Sequence, residues 1–368
     1  MKNRRLAILV GSICLVSILV VLPLMAACAA PAPAPSPAPA PAPAPAPQKV
    51  FKWRAQSMSD PPQLERQRFE FVADLIRERS GGRLDITWYS AGEVIPTGEI
   101  FDAVKTGVIE MGFDMAGYHG GFMPEAKPLF MLPASFKNSH DIHHFGYSQE
   151  WMFSEKVREA YLERGVQLVD VYSPTSQYLL MLTRPIERLD DLAGFKIRSY
   201  GSLSEWLGKT GAGMVFFPTG EIYTGLATGT VDAATFVGYA MNYAMKLHEP
   251  AKYIWEVPGA IAFWSALTYA NIDAWNELPD DLKLMLEYYH RFWATKWIGH
   301  YDLLGDEMCK ERMIEEWGAT IIELPQEDND RWLTMGRGLW DEMAAESPRS
   351  AEWVDYIKEW MKWRGYLD

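Results

Sequence analysis

The stretch Pro96–Met111, PTGEIFDAVKTGVIEM, returns as Pro218–Ala233, PTGEIYTGLATGTVDA, at an offset of 122 residues. Seven of the sixteen positions are identical, and Phe101/Tyr223 and Val104/Leu226 are like for like. A solenoid repeats every 20 to 50 residues or so, and an offset this large is of another kind. It predicts two similarly built lobes, each with a Gly-ended loop, a short helix and a following strand. Two unrelated helix-start signals are the competing explanation. Two lobes on one chain leave a cleft between them, a preferred place for a ligand.

Outward from the echo, strands alternate with helices. Val50–Ala55, Leu84–Tyr89, Met111–Asp114, Gln167–Tyr172, Phe195–Ser199, Met214–Phe217 and Val231–Phe236 read as strands. Leu64, Phe71, Val72, Leu75 and Ile76 fall at helical spacing, and Gly81-Gly82 ends that helix. Ile100, Val104 and Val108 mark a short helix. Repeated βα units predict an α/β fold with mainly parallel sheets.

Composition narrows the function. Of 368 residues, 48% are apolar and 13% aromatic, which excludes a disordered chain. The formal net charge of −13 argues against a nucleic-acid partner, which needs a basic face. Three cysteines, at 14, 28 and 309, are too few for a disulfide framework or a Cys-based zinc site.

The N-terminus reads as an address. Lys2, Arg4 and Arg5 precede an apolar run, Leu6–Leu24, and Met25-Ala-Ala-Cys28 follows. Residues 1–27 are expected to be a signal peptide and Cys28 a lipidated new N-terminus, since the ending resembles the lipobox of bacterial lipoproteins. An uncleaved membrane anchor is the alternative. Residues 28–48 form an Ala/Pro spacer; nine of the twenty residues Ala29–Gln48 are Pro. An extended polyproline conformation of about 3.1 Å per residue would hold the folded part away from the membrane. Both readings place residues 49–368 outside the cytoplasm, periplasmic or at the cell surface.

Three segments carry a family resemblance. They are Ser80–Val94 with the Ile100–Met111 unit, then Leu192-Ala-Gly-Phe-Lys-Ile-Arg198, then Phe217–Asp232. In order and spacing they resemble the substrate-binding proteins of tripartite ATP-independent periplasmic (TRAP) transporters, the DctP-like family. The likeness is strongest to the branch that binds 2-oxo and 2-hydroxy monocarboxylates. The resemblance implies a two-lobed periplasmic binding fold, type II-like, with hinge strands and an interlobe cleft. Lobe 1 is expected over roughly 49–173 plus a segment near 263–300. Lobe 2 is expected over roughly 174–262 plus the C-terminal helices. The resemblance also implies delivery of a small organic acid to the TRAP membrane permease subunits, without enzymatic chemistry.

Arg198 ends a strand, and Gly201-Ser-Leu-Ser starts a helix with Ser202 or Ser204 as N-cap. A guanidinium fork beside a helix N-terminus suits a carboxylate. The family places the ligand's carboxylate on the matching Arg. An Arg paired with a local acid is the structural alternative. The branch also places a Gln at position 177 against the ligand and a metal ion. The chain departs from the branch at that metal. Thr235-Phe236 stands where the branch carries Glu-Trp, and Ile261 where it carries a Gln. Hard cations need several oxygen ligands, so no metal or other cofactor is expected, and the ligand is expected to have an apolar part. Phe236, Tyr239, Phe263 and Trp264 are candidates to line it, with Thr235 beside them and Tyr118 contributing from the first lobe.

Other motifs weigh less. His140-Asp-Ile-His-His144 lacks a Cys or Glu at metal-ligand spacing. Gly208-Lys-Thr210 lacks the first Gly of a phosphate loop, position 203 being Leu. Trp353, Ile357, Trp360 and Trp363 form one helical stripe, read as packing within the lobe or as a homodimer surface through C-terminal helices. A receptor for another transporter or sensor is the alternative function. A secreted enzyme is a remote one, because no nucleophile with a base is visible.

Overall fold

The computed structural model describes residues 48–59, 64–138, 141, 145, 155–172, 177–262, 266–297 and 305–367. Segment 1–27, Cys28, the rest of the spacer to Pro47, His140, His143, His144, Phe263 and Trp264 lie outside the described residues. Lys49–Asp368 forms one compact unit.

Two sheets organise that unit. The first has the order β2-β1-β3-β10-β4, from β1 (Phe51–Ser57), β2 (Leu84–Tyr89), β3 (Met111–Met115), β4 (Val166–Tyr172) and β10 (Ala266–Asn271). The second has the order β11-β9-β5-β8-β6-β7. Its strands are β5 (Gln177–Leu182), β6 (Lys196–Arg198), β7 (Gly213–Val215), β8 (Ala233–Val237), β9 (Tyr253–Ile261) and β11 (Thr320–Ile322). The chain passes from the first sheet to the second between β4 and β5, and returns between β9 and β10.

The echo is structural. Thr97–Glu99 makes a 3₁₀ turn, Ile100–Lys105 a helix, and β3 follows. Thr219–Glu221 makes the same turn, Ile222–Ala227 the same helix, and β8 follows. Gly107 (φ 75°) and Gly229 (φ 70°) hold equivalent places in the two copies, each turning the chain after its helix through the left-handed region. That turn leaves Val108 beyond the helix and 50% exposed, so it does not belong to the apolar face read from the sequence.

The sheets are mixed rather than mainly parallel. β10 runs antiparallel to β3 and β4, and β5 antiparallel to β8 and β9. These strands flank the first two crossings, a third leading from β10 to β11, so each enters its sheet against the direction of the βα units. β5 and β10 also escaped the sequence reading. β10 is buried at every position and β5 at all but its first, which erases the period-two pattern.

Helices 64–79 and 280–297 pack together on the first sheet. The C-terminal helix, Pro348–Trp363, buries Trp353, Ile357 and Trp360, while Trp363 is 68% exposed. Trp360 meets Phe136 and Phe145 at 5.3 and 5.5 Å between ring centres. Most of the aromatic stripe is therefore spent inside the chain.

Candidate functional site

β6, β7 and β8 run parallel, so their C-terminal ends lie together at one edge of the second sheet. Arg198 closes β6 at that edge and is wholly buried. Its Nε and Nη2 donate to the carbonyl of Phe217 at 3.1 and 3.0 Å, and its Nη1 to the carbonyl of Thr235 at 3.3 Å. A guanidinium has five N–H donors, so two remain unspent. No carboxylate lies within ion-pair distance of it among the described residues. The local-acid alternative is not realised.

Aromatic rings surround this cation. Its carbon lies 5.3 Å from the ring centre of Tyr200 and 5.7 Å from that of Phe216. Tyr118 arrives from the first sheet, in the 3₁₀ turn Ala116–Tyr118 after β3. Its ring packs 5.0 Å from Tyr200 and 5.5 Å from Phe216. The Tyr118 hydroxyl is buried close to Arg198 and Thr219 yet meets hydrogen-bond geometry with neither. Burial raises its pKa and Arg198 opposes that shift, so the phenol stays a neutral donor. Beside it the Tyr178 and Tyr200 hydroxyls bond to each other at 2.6 Å.

The Tyr118 turn is pinned from behind. The His119 ring bridges the Tyr161 hydroxyl, at 2.8 Å, and Asp114, which also accepts from Tyr269 at 2.6 Å. All four side chains are buried and their bonds are made within the first lobe. This network positions the loop and leaves Tyr118 as the member that faces across. Gly117 allows the approach, since a Cβ there would sit 2.9 Å from the Tyr200 ring.

The other sequence candidates take up bonds within the protein. Thr235 is fully buried; its hydroxyl donates to Ser199 Oγ at 3.0 Å, and it meets Arg198 through its carbonyl. Phe236 is a buried core residue opposite Leu179. The Tyr239 hydroxyl is tied to Glu256, which also holds Lys310 at 2.6 Å; burial first, and that bond second, raise the phenol's pKa. Gln177 begins β5, and its amide nitrogen donates to the carbonyl of Val257. Its backbone carbonyl accepts from the amide of Gly238, just past β8, and among the described residues its side chain makes no hydrogen bond to Arg198. Tyr200 is the N-terminal cap position of helix Gly201–Gly208, with no side-chain cap. Ser202 is not the cap but donates to Met131. Sequence reasoning missed Tyr200, Phe216 and the Phe217 carbonyl. The Phe216-Phe217 pair, just ahead of the repeated Pro-Thr-Gly, was the available signal.

Among the described residues no cluster of three His, Cys, Asp or Glu side chains is placed to hold a metal ion. The site is thus a dry cation with spare donors, a neutral phenol aimed from the opposite lobe, and apolar walls. Such a set receives an anion with a flat or apolar body.

The profile of bacterial extracellular solute-binding proteins, family 7, matches residues 57–347. A monocarboxylate 2-oxoacid-binding periplasmic protein of Nostoc is 24% identical over 307 residues, covering 80% of this chain and 79% of that one. The crystal structure of a TRAP periplasmic solute-binding protein from Pseudoalteromonas atlantica, with bound sodium and pyruvate, superposes with a TM-score of 0.77 at 24% identity. It covers 85% of this chain and 94% of that one. A Bordetella bronchiseptica TRAP solute-binding protein with copurified calcium and picolinate gives 0.77 at 19%, over 86% of this chain and 94% of that one.

Proposed function

Because the chain belongs to the bacterial extracellular solute-binding proteins of family 7, we propose that it is the receptor of a TRAP transporter for a small organic acid, a 2-oxo or 2-hydroxy monocarboxylate with an apolar tail. The observation that carries the cargo class is Arg198: buried, without a carboxylate partner, and with two N–H groups unspent. A buried cation left alone is costly, and an acid headgroup offsets that cost on arrival. The Tyr118 hydroxyl supplies a further donor from the other lobe, and the rings of Tyr118, Tyr200 and Phe216 take the apolar part.

Binding proceeds without chemistry. Both lobes contribute to the site, so cargo stabilises the closed pair over the open one, and the permease reads the closed form. With Thr235 bonded to Ser199 and no carboxylate beside Arg198 among the described residues, the site works without a metal ion. The N-terminal sequence supports a Cys28 lipid anchor with a polyproline stalk, keeping the receptor at the membrane surface.

Titration calorimetry with a panel of carboxylates tests the reading. Saturable binding of a monocarboxylate with one site per chain at the cleft, lost in Arg198→Ala, is expected. Preference for a neutral or cationic solute overturns it.

A further inference from the structure

A cavity lined by none of Arg198, Tyr118, Tyr200 and Phe216 opens elsewhere in the described residues. It has a volume of about 280 Å³. Its wall includes Gln177, Glu256, Gly259, the Ala134–Lys137 segment, Leu333, Arg337 and the C-terminal Met361 and Tyr366. Its contributors come from the chain before the first crossing, from both strands that flank the crossings in the second sheet, and from the last helices.

Two features make it a built pocket. The first is backbone. Ala134 has φ 58°, one of two non-glycine residues with positive φ among those described, and Gly259 faces it with φ 68°. The Ala134 amide donates to the Gly259 carbonyl at 3.3 Å, and a Cβ on Gly259 would come within 3.0 Å of Ala134 Cα. Left-handed backbone at a non-glycine residue is costly and gathers at functional sites. The second is charge. Glu256, the acid on the wall, is already neutralised by Lys310 and by the Tyr239 hydroxyl, which with Lys310 hold its pKa down against burial. Asp141, behind Tyr366, is held by Arg364 at 3.0 Å. Lys137 lies over the Tyr366 ring at 3.8 Å, and neither it nor Arg337 has an anionic partner among the described residues. In a chain of net charge −13, this cavity carries two uncompensated cations over a floor of Phe136, Pro258, Leu333 and Met361.

We propose that this cavity is a second binding site, for a small monocarboxylate with an apolar body, its headgroup between Lys137 and Arg337. The volume admits a single-ring or short-chain acid, being just under the roughly 300 Å³ of the smallest ordinary ligand pockets. A charge-assisted hydrogen bond to each cation orients the headgroup, and the apolar floor takes the body. This site goes beyond the receptor reading and does not need it.

Benzoate is the probe, and calorimetry on the full chain the measurement. Four proteins are compared: the natural chain, Arg198→Ala, the double variant Lys137→Gln/Arg337→Gln, and the triple variant that combines all three substitutions. Both side chains replaced in the double variant are exposed, so folding is expected to hold, and the unfolding temperature checks it. In Arg198→Ala, benzoate is expected to bind at one site per chain. Adding the double substitution is expected to weaken that binding roughly tenfold or more, the scale of one lost charge-assisted contact. Absence of saturable benzoate binding in Arg198→Ala at millimolar concentration overturns the second site and leaves the receptor reading standing. Binding in Arg198→Ala that ignores the double substitution overturns it as well. If Arg198→Ala keeps every site of the natural chain and the double variant loses one, the second site stands and the Arg198 anchor falls.

Discussion

Arg198 holds the carbonyl oxygen of Phe217 with two nitrogens at once, Nε at 3.1 Å and Nη2 at 3.0 Å. The fork is therefore fixed by its own lobe before any cargo arrives. Arg198→Ala is expected to cost about 3–5 kcal/mol of cargo affinity, the scale of breaking a buried charge pair. Arg198→Lys is expected to recover little, because one ammonium does not reproduce a planar fork on two carbonyls and a headgroup. Calorimetric affinities of the two variants check this; equal affinities for natural chain and lysine variant would remove the fork from the account.

Gly117 controls how closely the lobes meet. A methyl group there lands 2.9 Å from the Tyr200 ring, so Gly117→Ala forces the Tyr118 turn away from the second lobe. An overpacking cost of about 1–3 kcal/mol is expected to fall on the closed form. Small-angle scattering of the liganded variant is expected to show a more open particle than the natural chain, with weaker cargo binding. An unchanged scattering profile and affinity would sink the idea.

Cargo binding is expected to be indifferent to a chelator, since Thr235 offers a hydroxyl already bonded to Ser199 where a hard cation would need charged oxygens. Titration before and after exhaustive chelation checks it. Thr235→Glu is expected to weaken binding of the acid, because the new carboxylate competes for the spare donors of Arg198.

His290 ties stability to pH. Its ring is buried, lacks a hydrogen-bond partner, and lies near Arg68; burial first, and that cation second, push its pKa down to about 3. The unfolded chain protonates it near pH 6.5 and the native chain does not. The native state is thus favoured in full above about pH 6.5 and loses stability as pH falls from there towards 3. His290→Phe, which keeps the ring beside Phe69 and Trp88, is expected to flatten the dependence of unfolding temperature on pH across that window. Parallel curves for the two proteins would contradict it.

Arg68 is sandwiched 4.4 Å from the Phe69 ring centre and 4.6 Å from that of Tyr172, without a hydrogen bond from any nitrogen. Asp170 is equally buried; burial raises its pKa and Arg68 heads the cations that lower it. Asp170→Asn removes a compensating charge from beside Arg68, while Arg68→Met leaves Asp170 with the weaker Arg291 and Arg158. The pair together is expected to cost less than the sum, with a coupling of about 1–3 kcal/mol in denaturant unfolding. Additive costs would show that the two do not sense each other.

Local signals settled the repeated units. Turn, helix, glycine and strand are written into Pro96–Met111 and again into Pro218–Ala233, because helical spacing and positive φ are properties of a few adjacent residues. Arg198 was likewise legible, as a cation ending a strand before a helix. Tertiary structure decided what those signals leave open. β5 and β10 carry no alternation because both their faces are covered, so their antiparallel entry into the sheets follows from the crossings alone. Tyr239 and Gln177, aromatic and amide on the page, were drawn to Glu256 and Val257 by strand register. That Arg198 keeps two donors unspent, and that Tyr118 reaches it from the other sheet, depends on which groups two distant segments bring within a few ångströms. No local pattern encodes such distances.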